Sequence, residues 1–183
     1  AKETGPKLVL DAGDWWQGTP EGSIRSGEVL AEVFNAIGYD AITVGNHEYD
    51  AGEGALRSLI GKMKMPVLSA NTYGVDGKRV AWVSPWIVKE VAVDAGRSIK
   101  IGIFGLTTSN MPRLSFPKNI AGLVFRREVD EARAAIKALK KAGATVIIAV
   151  THIGIEQEGR RFEGDLTLAR EDDTERFRAG AFA

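Results

Sequence analysis

Three short segments of this 183-residue chain carry residues that could do chemistry, and each follows an apolar run. Asp11-Ala12-Gly13-Asp14 places two carboxylates after Leu8-Val9-Leu10. One aspartate has two oxygens and can bridge two cations ~3.5–4 Å apart. The same residue types are also common in turns. Gly45-Asn46-His47-Glu48-Tyr49-Asp50 follows Ala41 to Val44. Asn46 offers a neutral amide oxygen, suited to a hard or borderline cation. His47 offers an acid–base group or a phosphate donor near neutral pH. Asp50, three residues on, can accept a hydrogen bond from the imidazole, fix its tautomer and favour the protonated ring. The alternative for this segment is a surface loop with Asp50 capping a helix. Thr151-His152-Ile153-Gly154 follows Val146 to Val150 and offers either an imidazole ligand or a structural histidine. His47 and His152 are the only histidines, and both sit at the ends of apolar runs, a placement that chance rarely produces.

Those runs must be strands for the placement to matter, because α/β sites form beyond the carboxyl ends of strands. Leu8 to Leu10, Ala41 to Val44, Val67 to Ala70, Ile99 to Leu106 and Val146 to Val150 read as buried strands. Val29, Leu30, Val33, Phe34 and Ile37 fall at helical spacing, with Gly38 as the stop. Gly54 to Met63 predicts a helix, and so does Glu128 to Lys141, where Val129, Ala132, Ile136 and Leu139 line one face. Val80 to Val93 is strand-like but broken at Ser84-Pro85, which predicts two edge-like strands or a hairpin. Strand–helix alternation with continuous apolar strands argues for an α/β fold. Length suggests one domain over 1–183. Within it, 157–183 reads as a charged tail, a solvated loop and exposed helix whose order the pattern does not set.

Composition removes several function classes. Lys plus Arg number 24 and Asp plus Glu number 24, so no global field draws in nucleic acid or an anionic membrane. A phosphate-bearing substrate has to be held by a local site. The absence of cysteine excludes disulfides, thiolate metal sites and thiol nucleophiles. Ala1 to Lys7 is polar and lacks the apolar core of a secretory signal, although a cleaved signal leaves no trace. The apolar stretch Ala144 to Val150 is too short to span a bilayer.

Taken together, the segments resemble the calcineurin-like metallophosphoesterases, and within them the 5'-nucleotidase group. Leu10 to Pro20 looks like that group's second motif, and Gly45 to Asp50 like its signature, with Tyr49 where Phe is frequent. Ser69-Ala70-Asn71 matches the short strand after the next helix, and Thr151 to Gly154 the later histidine motif. The resemblance implies an α/β/β/α sandwich, incomplete here. It implies that Asp14 bridges two metals, that Asn46 and His152 bind one of them, and that His47, oriented by Asp50, faces the phosphate.

The family's opening Asp-x-His motif and closing Gly-His-x-His motif are not among these residues. The expectation is therefore at most one weakly held divalent cation (Zn, Mn, Fe or Mg), where the intact family holds two. The activity implied is hydrolysis of a small phosphate ester, most naturally a nucleotide, by metal-activated water in a periplasmic or extracellular protein. A partial sheet with exposed edges would favour self-association. Two alternatives stand beside this reading. One is a non-catalytic fragment or degenerate domain that keeps the fold. The other is a cyclic-nucleotide phosphodiesterase or sulfur-ester hydrolase of the same superfamily, with Trp15-Trp16 lining the pocket rather than packing in the core.

Overall fold

The computed structural model describes residues 5–16, 20, 27–94, 96–155 and 164–171. Its centre is a pair of three-stranded sheets. In the first, β1 (Leu10–Asp11), β2 (Ala41–Thr43) and β3 (Val67–Leu68) run parallel in that order. In the second, β5 (Trp86–Asp94) and β6 (Arg97–Thr107) form an antiparallel hairpin, and β8 (Val146–His152) pairs parallel to β6. Between these segments the chain adds a small antiparallel ribbon, β4 (Thr72–Gly74) with β7 (Leu123–Phe125).

The two main sheets stack face to face because both have an apolar inner surface. Ala41, Leu68, Ile101, Ile103 and Val150 are buried between them, with Leu10, Ala12 and Ile148 packed alongside. Outside the first sheet lie α1 (Glu28–Ile37) and α2 (Glu53–Ile60), which cover Ile42 and Val44 with Phe34, Leu56 and Leu59. Outside the second lies α4 (Glu128–Lys141), whose Val129, Ala132, Ala135 and Leu139 meet Phe104 and Leu106. A one-turn helix, α3 (Met111–Leu114), precedes β7. The order of layers is α/β/β/α, as the sequence reading expects.

The seam between the sheets also carries hydrogen bonds. Thr43 Oγ1 donates toward Leu68 O (3.3 Å) and Val150 O (3.1 Å), and Thr107 Oγ1 donates to Val44 O at 2.7 Å. Buried hydroxyls with carbonyl partners keep the seam satisfied and fix its register. They also hold the carboxyl ends of β2, β6 and β8 close together.

Several local expectations change. Residues 80–85 form no strand, and β5 pairs with β6 instead of with a strand before Pro85. Ser84 docks on the first sheet instead: its N–H donates to Val67 O and its carbonyl accepts from Ser69 N. Pro85 has no N–H to extend that pairing. The first strand is Leu10–Asp11. The second helix starts at Glu53 and ends at Ile60, with Gly61 bonded back to Arg57 O. Gly52, not Asp50, is its N-cap. Trp15 and Trp16 pack in the core: Trp15 sits edge-on to Phe34 at 6.1 Å and donates Nε1–H to Thr43 O. That placement removes the pair as pocket lining.

Of the charged stretch 157–183, Gly164 and α5 (Asp165–Glu171) fall among the described residues, and Leu168 is buried against the α4 side. Among the described residues no helix is long and apolar enough to cross a membrane.

Candidate metal centre

Two loops interlock beyond the ends of β1 and β2. Gly13 has φ 97°, and a Cβ there would lie 2.5 Å from Gly45 N and 2.9 Å from Gly45 Cα. A Cβ on Gly45 would in turn press on Asp14, 2.7 Å from its nitrogen. Only glycine at both positions lets the two backbones touch. The next residue, Asp14, stands in the left-handed region at φ 60°. For a non-glycine residue that conformation costs about 1–2 kcal/mol and persists only where the surroundings hold it.

What holds it is Glu48. This side chain is fully buried in the 3-10 turn His47–Tyr49. Its Oε2 accepts from Asp14 N (2.9 Å) and Gly45 N (2.6 Å), and its Oε1 from Trp16 N (3.2 Å). Burial raises the Glu48 pKa, and the Asp14 charge adds to this. The three N–H donors pull the other way, and the balance is about 7.

Asp14 then faces both other loops. Its Oδ1 accepts from His47 N at 3.0 Å, and its Oδ2 lies 3.1 Å from His152 Nε2. Burial works against its ionised form. The hydrogen bonds from His152 and His47 N–H, with both ring charges, outweigh it and hold the Asp14 pKa below the ordinary carboxylate value.

His152 ends β8, opposite Thr107 of β6. Its Nδ1 lies 2.9 Å from Ala12 O, and a carbonyl only accepts, so Nδ1 carries a hydrogen. Nε2 points at Asn46 Oδ1 (3.2 Å) and Asp14 Oδ2 (3.1 Å). Burial lowers the His152 pKa, but Asp14 and the Ala12 carbonyl, helped by Glu48, raise it overall.

His47 is turned away from this trio. Its Nδ1 is 2.8 Å from Asp50 Oδ2, and the ring is 45% exposed, which leaves Nε2 for a ligand. The Asp50 hydrogen bond raises its pKa against a smaller effect of burial, and the charges of Asp14, Asp50 and Glu48 add to the rise. Asp50 is braced in turn by Asn119 Nδ2, which donates to its backbone carbonyl at 2.8 Å.

The trio fits a divalent cation. With Nδ1–H committed to Ala12, Nε2 is the nitrogen that faces the two oxygens; its proton bonds to Asp14, and a cation held there would take the place of that proton. Ligand atoms ~2.0–2.2 Å from one ion stand roughly 2.9–3.5 Å apart, and the observed 3.1 and 3.2 Å fall inside that range. Among the described residues no group of three His, Cys, Asp or Glu is placed to hold an ion. This trio comprises one aspartate, one histidine and an asparagine. The structure thus brings together Asp14, Asn46 and His152, and sets His47 with Asp50 beside them.

Two residues near the site carried no role in the sequence reading. Glu48 is one. Asp165 is the other: its Oδ1 accepts from Thr151 Oγ1 at 2.6 Å, next to His152, and burial raises its pKa. Neither has a local signal, since each is partnered from a distant segment.

Known proteins resemble this chain over most of its length. The family model for calcineurin-like phosphoesterases matches residues 1–177. The chain is 34% identical to the protein UshA of Escherichia coli K12 over 175 residues, covering 93% of this chain and 30% of that protein. It is 36% identical to a 5'-nucleotidase of Vibrio cholerae over 171 residues, 91% of this chain and 30% of the relative. The calcineurin-like phosphoesterase YfkN of Bacillus subtilis superposes with a TM-score of 0.78 at 28% identity, over 90% of this chain and 54% of that one. This chain therefore spans about a third of the length of the curated relatives. On the match across nearly its whole length, the chain belongs to the calcineurin-like phosphoesterase family.

Proposed function

We propose that the protein hydrolyses phosphate esters of nucleotides at the site built by Asp14, Asn46, His152, His47 and Asp50. The observation that carries this reading is the convergence of Asp14 Oδ2 and Asn46 Oδ1 on His152 Nε2, with the His47–Asp50 pair directly alongside. Relatives whose names read 5'-nucleotidase support the nucleotide as substrate. The same likeness is the ground for proposing a periplasmic or extracellular setting.

Asp14, Asn46 and His152 would hold a divalent cation, which supplies Lewis-acid charge to a phosphoryl oxygen. The Ala12 carbonyl holds the hydrogen on Nδ1 of His152, so Nε2 is the nitrogen that would exchange its proton for a cation. Asp14 stays ionised at neutral pH because its pKa is held down. Asp50 keeps the His47 ring oriented and favours its protonated form. A water attacks phosphorus in line and leaves its second proton on the phosphate product or to solvent; as the ester P–O bond breaks, His47 gives the proton from Nε2–H to the leaving oxygen and regains one from solvent. Of the candidate metals, Mn, Zn, Fe and Mg all accept oxygen and nitrogen donors.

Among the described residues, Asp14, Asn46 and His152 make one cation position with three protein donors, and we propose that it holds one ion weakly. The test combines calorimetric titration with Mn²⁺ or Zn²⁺ and an AMP hydrolysis assay in the presence of each metal. One weak site and an AMP-hydrolysing activity lost in His47→Ala support the reading. Two tight sites refute the stoichiometry, and hydrolysis unaffected by His47→Ala or by chelator refutes the mechanism.

A further inference from the structure

We propose that Glu48 is the positioning residue of this centre: its buried carboxylate ties the Asp14 loop to the Gly45–Asn46 loop and thereby aims the Asp14 side chain at His152 and Asn46. The inference rests on the metal-centre reading above and extends it to a residue that touches neither metal nor substrate.

The argument is geometric. Asp14 sits at φ 60°, which few aspartates adopt. Neither neighbour imposes that conformation by a covalent constraint. The bond from Asp14 N to Glu48 Oε2 clamps the N–H toward Glu48, and φ 60° then sets the direction in which the side chain leaves that fixed N–H. The same oxygen accepts from Gly45 N, one residue before Asn46. One atom therefore sets the separation of the two loops that bear Asp14 and Asn46. The second oxygen fixes Trp16 N, so the loop is held at both ends of Asp14–Trp16. Trp15 between them is anchored in the core through Thr43 O.

Remove the carboxylate, and the three N–H groups lose their acceptor in a site with no exposed surface at Glu48. The loop then relaxes toward φ < 0 at Asp14, and its carboxylate leaves the direction of His152 Nε2. His152 keeps its own support through Ala12 O, while the Asn46 loop loses its tie at Gly45 N. The defect is thus in aim and spacing, not in the supply of ligands. Partners that orient metal ligands typically matter by about 10–100-fold in affinity.

Substitutions at Glu48 separate aim from packing. Glu48→Met keeps the volume and removes all three acceptors. Glu48→Asp keeps the charge but is one methylene short of reaching all three donors. Glu48→Gln keeps one amide oxygen for the Asp14 and Gly45 N–H groups, loses the bond to Trp16 and sets its own NH2 against that N–H. Calorimetric titration of each chain with Mn²⁺, below the melting temperature of each by circular dichroism, gives the affinity of folded protein. Glu48→Met and Glu48→Asp are expected to bind about 10–100-fold more weakly, and Glu48→Gln within a few-fold of wild type.

Amide hydrogen exchange on the wild-type chain keeps the test decisive if the variants do not fold. Asp14 and Gly45 N–H are expected to be protected, and free exchange at both overturns the proposal. Folded Glu48→Met that binds Mn²⁺ as tightly as wild type overturns it as well. Wild type that binds no Mn²⁺, or that binds unchanged in Asp14→Asn, overturns the metal-centre reading and this inference with it. Wild-type binding lost in Asp14→Asn but kept in every Glu48 variant overturns this inference alone.

Discussion

Gly105→Ala should be among the most destabilising small substitutions in this fold. Gly105 lies near the carboxyl end of β6, facing the first sheet, and Ala70 N donates to its carbonyl at 2.7 Å. An added Cβ would stand 2.6 Å from both Leu68 Cβ and Leu68 O, and closer still to Thr43 Oγ1. Carbon atoms in contact prefer about 3.5–4.0 Å, so the sheets would have to separate by roughly 1 Å. Neither neighbour yields easily, because Leu68 O belongs to the β3 backbone and Thr43 is pinned by its own bonds to Leu68 O and Val150 O. Overpacking alone costs about 1–3 kcal/mol. Weakening the Thr43 bonds adds about 1 kcal/mol. The expected loss is therefore about 2–4 kcal/mol, and at ~2–4 °C per kcal/mol it lowers Tm by roughly 4–16 °C.

Gly102→Ala is the internal control. Its Cβ would meet Leu139 Cδ2 at 2.8 Å and Ala144 Cβ at 3.0 Å, and the Leu139 end is the tip of a movable side chain on α4. That substitution is expected to cost about 1–2 kcal/mol. Urea denaturation followed by circular dichroism measures both. A Gly105→Ala midpoint equal to wild type, or a larger loss in Gly102→Ala, would refute the claim that backbone contact at the seam sets the sheet spacing. Because Thr43 precedes Val44-Gly45-Asn46, the Gly105 variant should also weaken Mn²⁺ binding when folded.

Two further perturbations have signs set by the structure. Tyr49→Phe should leave stability unchanged or raise it by up to about 1 kcal/mol. The buried hydroxyl faces Thr72 without a well-formed bond, while the ring keeps its perpendicular contact with Phe125 at 5.4 Å and its edge contact with Trp82 at 6.5 Å. A thermal melt showing a loss above ~1.5 kcal/mol would show that the hydroxyl is satisfied after all. Asp40→Asn should cost about 1 kcal/mol at neutral pH. Burial works against the Asp40 carboxylate, but Lys89 and the Val9 N–H outweigh it and hold its pKa below 3.8. A depressed folded value stabilises above the unfolded pKa, and that contribution disappears as pH falls through the folded value. Melts of wild type and variant should therefore converge below pH ~4; a constant gap down to pH 3 would exclude the ion pair as its source.

The parts of this molecule that could be read from sequence are those whose cause is local. Glu128–Lys141 matches the expected helix end to end because its apolar stripe and the charged residues around it lie within one segment. Each histidine's place at a strand end is likewise visible, since a strand and its following loop are contiguous. The β4–β7 ribbon could not be read, because Tyr73 and Val124 pair across fifty residues of chain and neither three-residue strand has a pattern of its own. Glu48 shows the same limit within the site itself. Between His47 and Asp50 it looks like one more solvated acid, and nothing near it in sequence demands burial. Its environment comes from Asp14 and Trp16, more than thirty residues earlier, whose N–H groups need an acceptor once Gly13 and Gly45 have brought the loops together. Residue type thus announces groups that meet a ligand, whereas groups that aim other groups become visible only when the backbone donors they satisfy are seen in space. Any motif whose function depends on a strained residue such as Asp14 should therefore contain a second polar residue, assigned to no chemistry, that holds the strain in place.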